Sequence, residues 1–164
     1  MTSDLSTGAA CLDYCRRRLT DEYLPRLLRC IGEMSDEDIW WRPAESSNSA
    51  GNLVLHLAGN VNQWINSGLG GLPDRRNRAA EFSERGPVPR TELVERITTA
   101  VRDAGETLSK LDPQGLMEMR HIQVFDLTGL EAVLHVVEHF SQHLGQIVYI
   151  TKLRKRVDLK FYDL

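Results

Sequence analysis

The chain has 164 residues, 41% of them hydrophobic and 26% charged, and a formal net charge of -3. Such a length supports one core that buries about two thirds of the unfolded surface, and the slightly acidic balance excludes the basic field that nucleic acid or an anionic membrane requires. Residues 1–164 therefore read as one soluble domain with a small-molecule partner. It is expected in the cytoplasm, because no secretory apolar run opens the sequence and no stretch approaches the ~20 residues of a bilayer span. Cys11, Cys15 and Cys30 are odd in number and lack CxxC spacing, which suits reduced thiols rather than a disulfide framework.

Taken in chain order, the sequence predicts four long helices and little strand, an all-α bundle. The first covers residues 7–34, where Leu12, Cys15, Leu19, Tyr23, Leu27 and Cys30 recur at helical spacing; Pro25 is expected to kink or split it. Ser35-Asp36-Glu37-Asp38 has the look of a cap for a short turn carrying Ile39, Trp40 and Trp41, which Pro43 and a Ser/Asn run close off. The second long helix starts near Ser49, carries Leu53, Leu57, Val61 and Trp64 on one stripe, and stops at Gly68, Gly70, Gly71 and Pro73. Residues 70–89 lack sustained periodicity and read as a long connector. A crossover of that length returns the chain along the bundle, which gives a four-helix bundle in up-down-down-up order. The third helix spans residues 90–111, opened by Pro89 and Glu92 and stopped before Pro113. Residues 112–127 read as irregular. Thr128-Gly129-Leu130-Glu131 has capping-box spacing, and the fourth helix runs from it to about residue 153, with Lys152, Arg154, Lys155 and Arg156 complementing its C-terminal dipole.

Three histidines carry the chemistry. Residues four apart on a helix differ by about 40° and about 6 Å, so two imidazoles at that spacing converge on one ion. His135/His139 and His139/His143 both qualify. Against the stripe of Val133, Val137, Phe140, Leu144 and Val148, a turn of about 100° per residue puts His143 at the edge and His139 slightly beyond it. His135 projects almost opposite, toward solvent or as an outer support. On the second helix Asn52, His56, Asn60 and Gln63 form a polar column beside the apolar stripe, and helices packed about 8 to 10 Å apart let His56 meet His139 and His143. Three neutral imidazoles with open positions suit a divalent transition metal such as zinc, nickel, iron or copper in catalytic rather than structural geometry. No obvious carboxylate completes the set, and Glu138 points away from the pair. The HxxxH spacing by itself also occurs in many helices that hold no metal.

Residues 134–147, LHVVEHFSQHLGQI, with NLVLHLAGN over residues 52–60, resemble the DinB-like/YfiT-like superfamily. The resemblance extends to Trp40-Trp41-Arg42-Pro43 and to the closing DLKFYDL, nearly the whole chain. It implies a four-helix bundle in up-down-down-up order, a metal held by His56, His139 and His143, and a homodimer. Gly145-Gln146 matches the recurring GQ of the superfamily, whereas Asn60 falls where relatives vary. The resemblance also implies chemistry, since relatives include thiol-dependent S-transferases and a maleylpyruvate isomerase that uses a low-molecular-weight thiol. Fold is shared more widely than reaction, however.

The expected function is a metal-dependent enzyme that activates a low-molecular-weight thiol or water, because a divalent ion lowers the pKa of either. The alternative is a non-catalytic, stress-related helical scaffold that binds metal. A closed structural site needs a fourth protein ligand, which Cys11 or Cys15 could supply only by leaving the buried state usual for cysteine. Gln146, and less transferably Asn60, are candidates for the shell around the ligands. Trp40, Trp41 and Trp64 read as packing residues, His121 as a surface histidine, and Arg75, Arg76 and Arg78 as a solvated basic run.

Overall fold

The computed structural model describes residues 6–86 and 88–161. The end of the DLKFYDL segment, residues 162–164, lies outside them. The described chain is mostly helical. Helix α1 covers residues 7–33 as three continuous pieces: Thr7–Arg17, a π-helical turn Arg18–Tyr23, and Leu24–Glu33. Pro25 lacks an N–H and its ring crowds the carbonyl four residues back; the π turn just before it, where Leu24 N–H reaches back to Leu19 O, supplies the extra width. Pro25 thus widens the helix instead of splitting it.

Helix α2, Asp36–Trp40, starts in a capping box formed by Ser35 and Asp38. Helix α3 runs through Ala50–Val61 and a second π turn, Asn62–Ser67, from another capping box made by Ser49 and Asn52. Within Ala50–Val61 every residue except Gly59 is buried, as expected of a helix enclosed on all sides. A short helix α4, Arg78–Ser83, interrupts the stretch read as an unstructured connector, and helix α5 follows at Arg90–Lys110. A 3-10 turn, Pro113–Met117, leads into strands β1, Met119–Ile122, and β2, Phe125–Thr128, paired antiparallel with Ile122 opposite Phe125. This hairpin corrects the irregular reading of residues 112–127 and leaves the mostly helical expectation standing. Its two-residue turn, Gln123-Val124, holds Gln123 at φ 59 without the Asn or Gly that announces such turns. Helix α6, Gly129–Lys155, begins in the capping box of Thr128 and Glu131 and ends at Arg156 in the left-handed region.

Helices α1 and α3 each pack against both α5 and α6, and α4 packs on α3. The core between them is built from Leu19, Leu27, Ile31, Leu53, Leu57, Ile65, Leu93, Ile97, Leu108 and Phe140, all essentially solvent-free. The buried Asp38 ties α2 to the C-terminal end of α6: it accepts from Arg154 Nε at 2.8 Å and Lys155 Nζ at 3.1 Å, and these bonds hold its carboxyl below the ordinary range even though burial alone raises it. Among the described residues no helix is long and apolar enough to cross a membrane.

Candidate metal centre

The packing of α3 against α6 brings His56, His139 and His143 into one cluster whose ligand atoms all lie within 4.8 Å of one another. His56 is buried at 4% exposure, and the other two are half-buried. The Nε2 atoms of His56 and His139 are 2.8 Å apart, and the His143 ring stands edge-on to both at centroid distances of 5.1 and 4.4 Å. An ion about 2.1 Å from each nitrogen needs them about 3.4 Å apart in a tetrahedral arrangement, so half an ångström of spreading between His56 and His139 fits one.

Two of the three outer nitrogens, those of His56 and His143, are tied down, which fixes the inner nitrogens of these two rings. His56 Nδ1 donates to Glu81 Oε2 at 2.8 Å, leaving Nε2 bare toward the cluster. His143 Nδ1 donates to Gln146 Oε1 at 2.7 Å with the same effect. A carboxylate or amide on the far nitrogen is the usual means by which a protein orients an imidazole ligand and raises its basicity. Gln146 therefore acts directly on a histidine, a more specific part than the sequence indicated.

Glu81 is the functional residue that sequence reading missed, because it sits on α4. That helix is capped by Asn77, whose side chain accepts from Ala80 N, a signal present in the sequence but too short to show periodicity. Asn52 anchors the far end of α4: its Nδ2 donates to Glu81 O at 2.8 Å and Glu84 O at 3.0 Å. Gly59 on α3 leaves the space into which Glu81 reaches, for a Cβ there lies 2.0 Å from Glu81 Oε1. Arg76 completes the unit. Its side chain is 3% exposed and donates to Glu81 through Nε at 2.7 Å and Nη2 at 2.9 Å, and to Gln63 Oε1 at 2.9 Å. The expectation of a solvated basic run is thus corrected at Arg76: a buried guanidinium survives only with a partner, and Glu81 is that partner.

His135 takes the second of its two expected places, an outer support beside the cluster, and only the direction expected for it is corrected. It does not face solvent on the side opposite the core but stacks 4.1 Å from Trp64 and 5.3 Å from His139, with its Nε2 3.3 Å from Asn60 Nδ2. Asn60 is itself buried at 3% exposure. Together with Phe125 of the hairpin these residues line a cleft of about 520 Å³ that opens beside His56 and His139. Trp64 therefore both packs and lines a cavity, while His121 is exposed and pairs with Asp126, as expected of a surface residue.

Electrostatics favour neutral rings at His139, His143 and His135. Burial, reinforced by His143, His56, His135 and Arg76, pushes His139 down from 6.5 to about 3. Burial lowers His143 as well, partly opposed by its bond to Gln146, and lowers His135. For Glu81 burial acts upward, but the bonds from His56 and Arg76 outweigh it and hold the carboxyl below its ordinary range. Neutral imidazoles beside an ionised carboxylate are the protonation states that a metal cation requires. Cys11 and Cys15 are not part of the cluster, and burial, with Cys11 next to it, pushes the Cys15 thiol up to about 12.

A family model described as "Protein of unknown function (DUF1572)" matches residues 7–163. The chain belongs to the DUF1572 family. No functionally curated protein matches this DUF1572 member. Among solved structures it is similar to one titled "Crystal structure of the conserved protein of locus from Enterococcus faecalis", at 16% identity and a TM-score of 0.70. The match covers 86% of this chain and 95% of the other. At that identity the likeness extends to fold alone.

Proposed function

We propose that this DUF1572 chain is a metal-dependent enzyme of DinB-like type, holding zinc, nickel or iron on His56, His139 and His143 and acting on a small molecule. The observation that carries this reading is the meeting of imidazoles from α3 and α6 with two of their outer nitrogens bound, His56 to Glu81 and His143 to Gln146. Within the same reading the four long helices form an up-down-down-up bundle. Its support is the packing of α1 and α3 on both α5 and α6, with long connections before α5 and α6. A homodimer in the cytoplasm, with no nucleic-acid or membrane partner, belongs to the same proposal.

A divalent ion at this site supplies a Lewis acid that makes a thiol or water nucleophilic near neutral pH. The chain's own residues do the rest. Glu81 keeps the His56 proton on Nδ1 and Gln146 keeps the His143 proton on Nδ1, so both Nε2 atoms stay bare toward the reacting centre. Arg76 balances the Glu81 charge and closes one side to water, while Trp64 and His135 form the apolar side of the cleft. Among the described residues the cluster offers three ligands and no fourth, an open site rather than a closed structural one.

The preferred reaction is thiol transfer. In its test, zinc-loaded protein is mixed with monochlorobimane and bacillithiol, mycothiol or glutathione, where sulfur displaces chloride and the proton and chloride are released. Metal-dependent acceleration that is lost in His139→Ala supports the transferase. Ester hydrolysis without thiol dependence moves the reading to a hydrolase, and bound metal with neither activity moves it to the non-catalytic scaffold.

A further inference from the structure

We propose that the cleft beside the three histidines takes a planar aromatic or conjugated acid, its ring on Phe125 and His135 and its anionic group at Arg78. This names the substrate class for the enzyme reading above and rests on it. The cleft volume, about 520 Å³, is that of sites which enclose a small organic molecule. Its apolar wall is aromatic: Trp64, only 5% exposed, has the His135 ring 4.1 Å away and the Phe125 ring 6.2 Å away. These are contact distances, so a further ring lies on the open side of the group, not between its members. Phe125 is 52% exposed and lines the cavity, so its ring is accessible to a bound molecule.

The charges around the cleft single out one cation. Arg76 is neutralised by Glu81. On the hairpin side Glu131 accepts from the Thr128 N–H and hydroxyl, both at 2.7 Å, and Asp126 pairs with His121 at 2.7 Å. Arg78 has no carboxylate partner among the described residues; its guanidinium lies 4.9 Å over the Phe82 ring. Phe82 in turn packs 4.6 Å from His56, so the same ring that steadies Arg78 borders the histidine cluster. A guanidinium steadied on an aromatic face keeps its planar fork free for a carboxylate. Two buried atoms on the cleft residues, Trp64 Nε1 and Asn60 Oδ1, also lack a protein partner. Polar atoms buried in this way are ordinarily satisfied by ordered water or a bound molecule.

The test uses calorimetric titration with 2-naphthoate and its uncharged counterpart 2-naphthylmethanol, on zinc-loaded and on chelator-treated full-length protein. Wild type is expected to bind the acid about tenfold more tightly than the alcohol, the factor of one charge-assisted contact. Arg78→Ala, an exposed substitution, brings the acid down to the affinity of the alcohol and leaves the alcohol unchanged, while Phe125→Ala weakens both. Equal affinities in wild type, no saturable binding of either compound, or an acid preference that survives Arg78→Ala overturns the assignment. So does a preference that vanishes on chelation, because the anion then sits on the ion. Arg78-dependent binding by a zinc-loaded wild type that shows no catalysis supports the cleft assignment and removes only the enzyme reading.

Discussion

Replacing Glu81 with Gln keeps the shape of the side chain and removes its charge. The carboxylate accepts from His56 Nδ1 at 2.8 Å and from Arg76 at 2.7 and 2.9 Å, and its side chain is 9% exposed. An amide can present only one oxygen, so either His56 or Arg76 faces an N–H in place of an acceptor. If His56 loses its partner, its proton is free to move to Nε2, the atom that points at the cluster. Loss of an outer carboxylate of this kind lowers metal affinity by about 10- to 100-fold, or about 1.4 to 2.8 kcal/mol. Gly59→Ala reaches the same end from α3, since the new Cβ lies 2.0 Å from Glu81 Oε1 and 2.9 Å from its Cδ and must expel the carboxylate. Zinc affinity is read by competition with a chromogenic chelator, and helical circular dichroism checks that both variants are folded. Wild-type affinity in both variants refutes the orienting part of Glu81.

The metal-free protein should lose stability as pH falls. The unfolded histidine titrates near 6.5, whereas folded His139 is held down to about 3, and His143 and His135 are lowered too. The unfolded state therefore binds protons first, and stability present above pH 6.5 drains away between there and about 3; thermal melts across that window should fall steadily, and His139→Ala should flatten the slope. A slope that is unchanged in His139→Ala counts against burial as its cause. Asp38→Asn should cost about 2 kcal/mol in urea unfolding, because Arg154 and Lys155 lose a charged acceptor at the junction of α2 with the end of α6. An unchanged midpoint shows that the junction contributes nothing to stability.

Much of the scaffold was legible because its signals are local. Ser35 and Thr128 form the caps that their spacing announces, and Ser49, read as the start of its helix, closes a capping box with Asn52. The long helices follow from apolar periodicity over many turns. What escaped was short or depended on the fold. Helix α4 has six residues, fewer than two turns, so Asn77 and the residues after it carried no period. The β1–β2 hairpin turns at Gln123-Val124 without glycine or asparagine, with Gln123 at a left-handed φ and its side chain bonded to Gln63. His135 was misplaced by a stripe drawn through Val133, Val137 and Val148; Ala132, Val136, Ile147 and Ile150 are buried as well, which turns the core face about 50° toward the histidines. His135 then flanks the groove. Glu81 and Arg76 could not be joined to His56 from sequence, since that contact exists only once α4 packs on α3.

Elemental analysis of protein purified without chelator, beside His56→Ala, His139→Ala and His143→Ala, addresses the three-histidine site most directly. The expected result is about one divalent transition-metal ion per chain in wild type, with loss from each variant while helical content is retained. Wild-type metal content in all three variants, or no uptake by wild type after incubation with zinc, nickel and iron, contradicts the site.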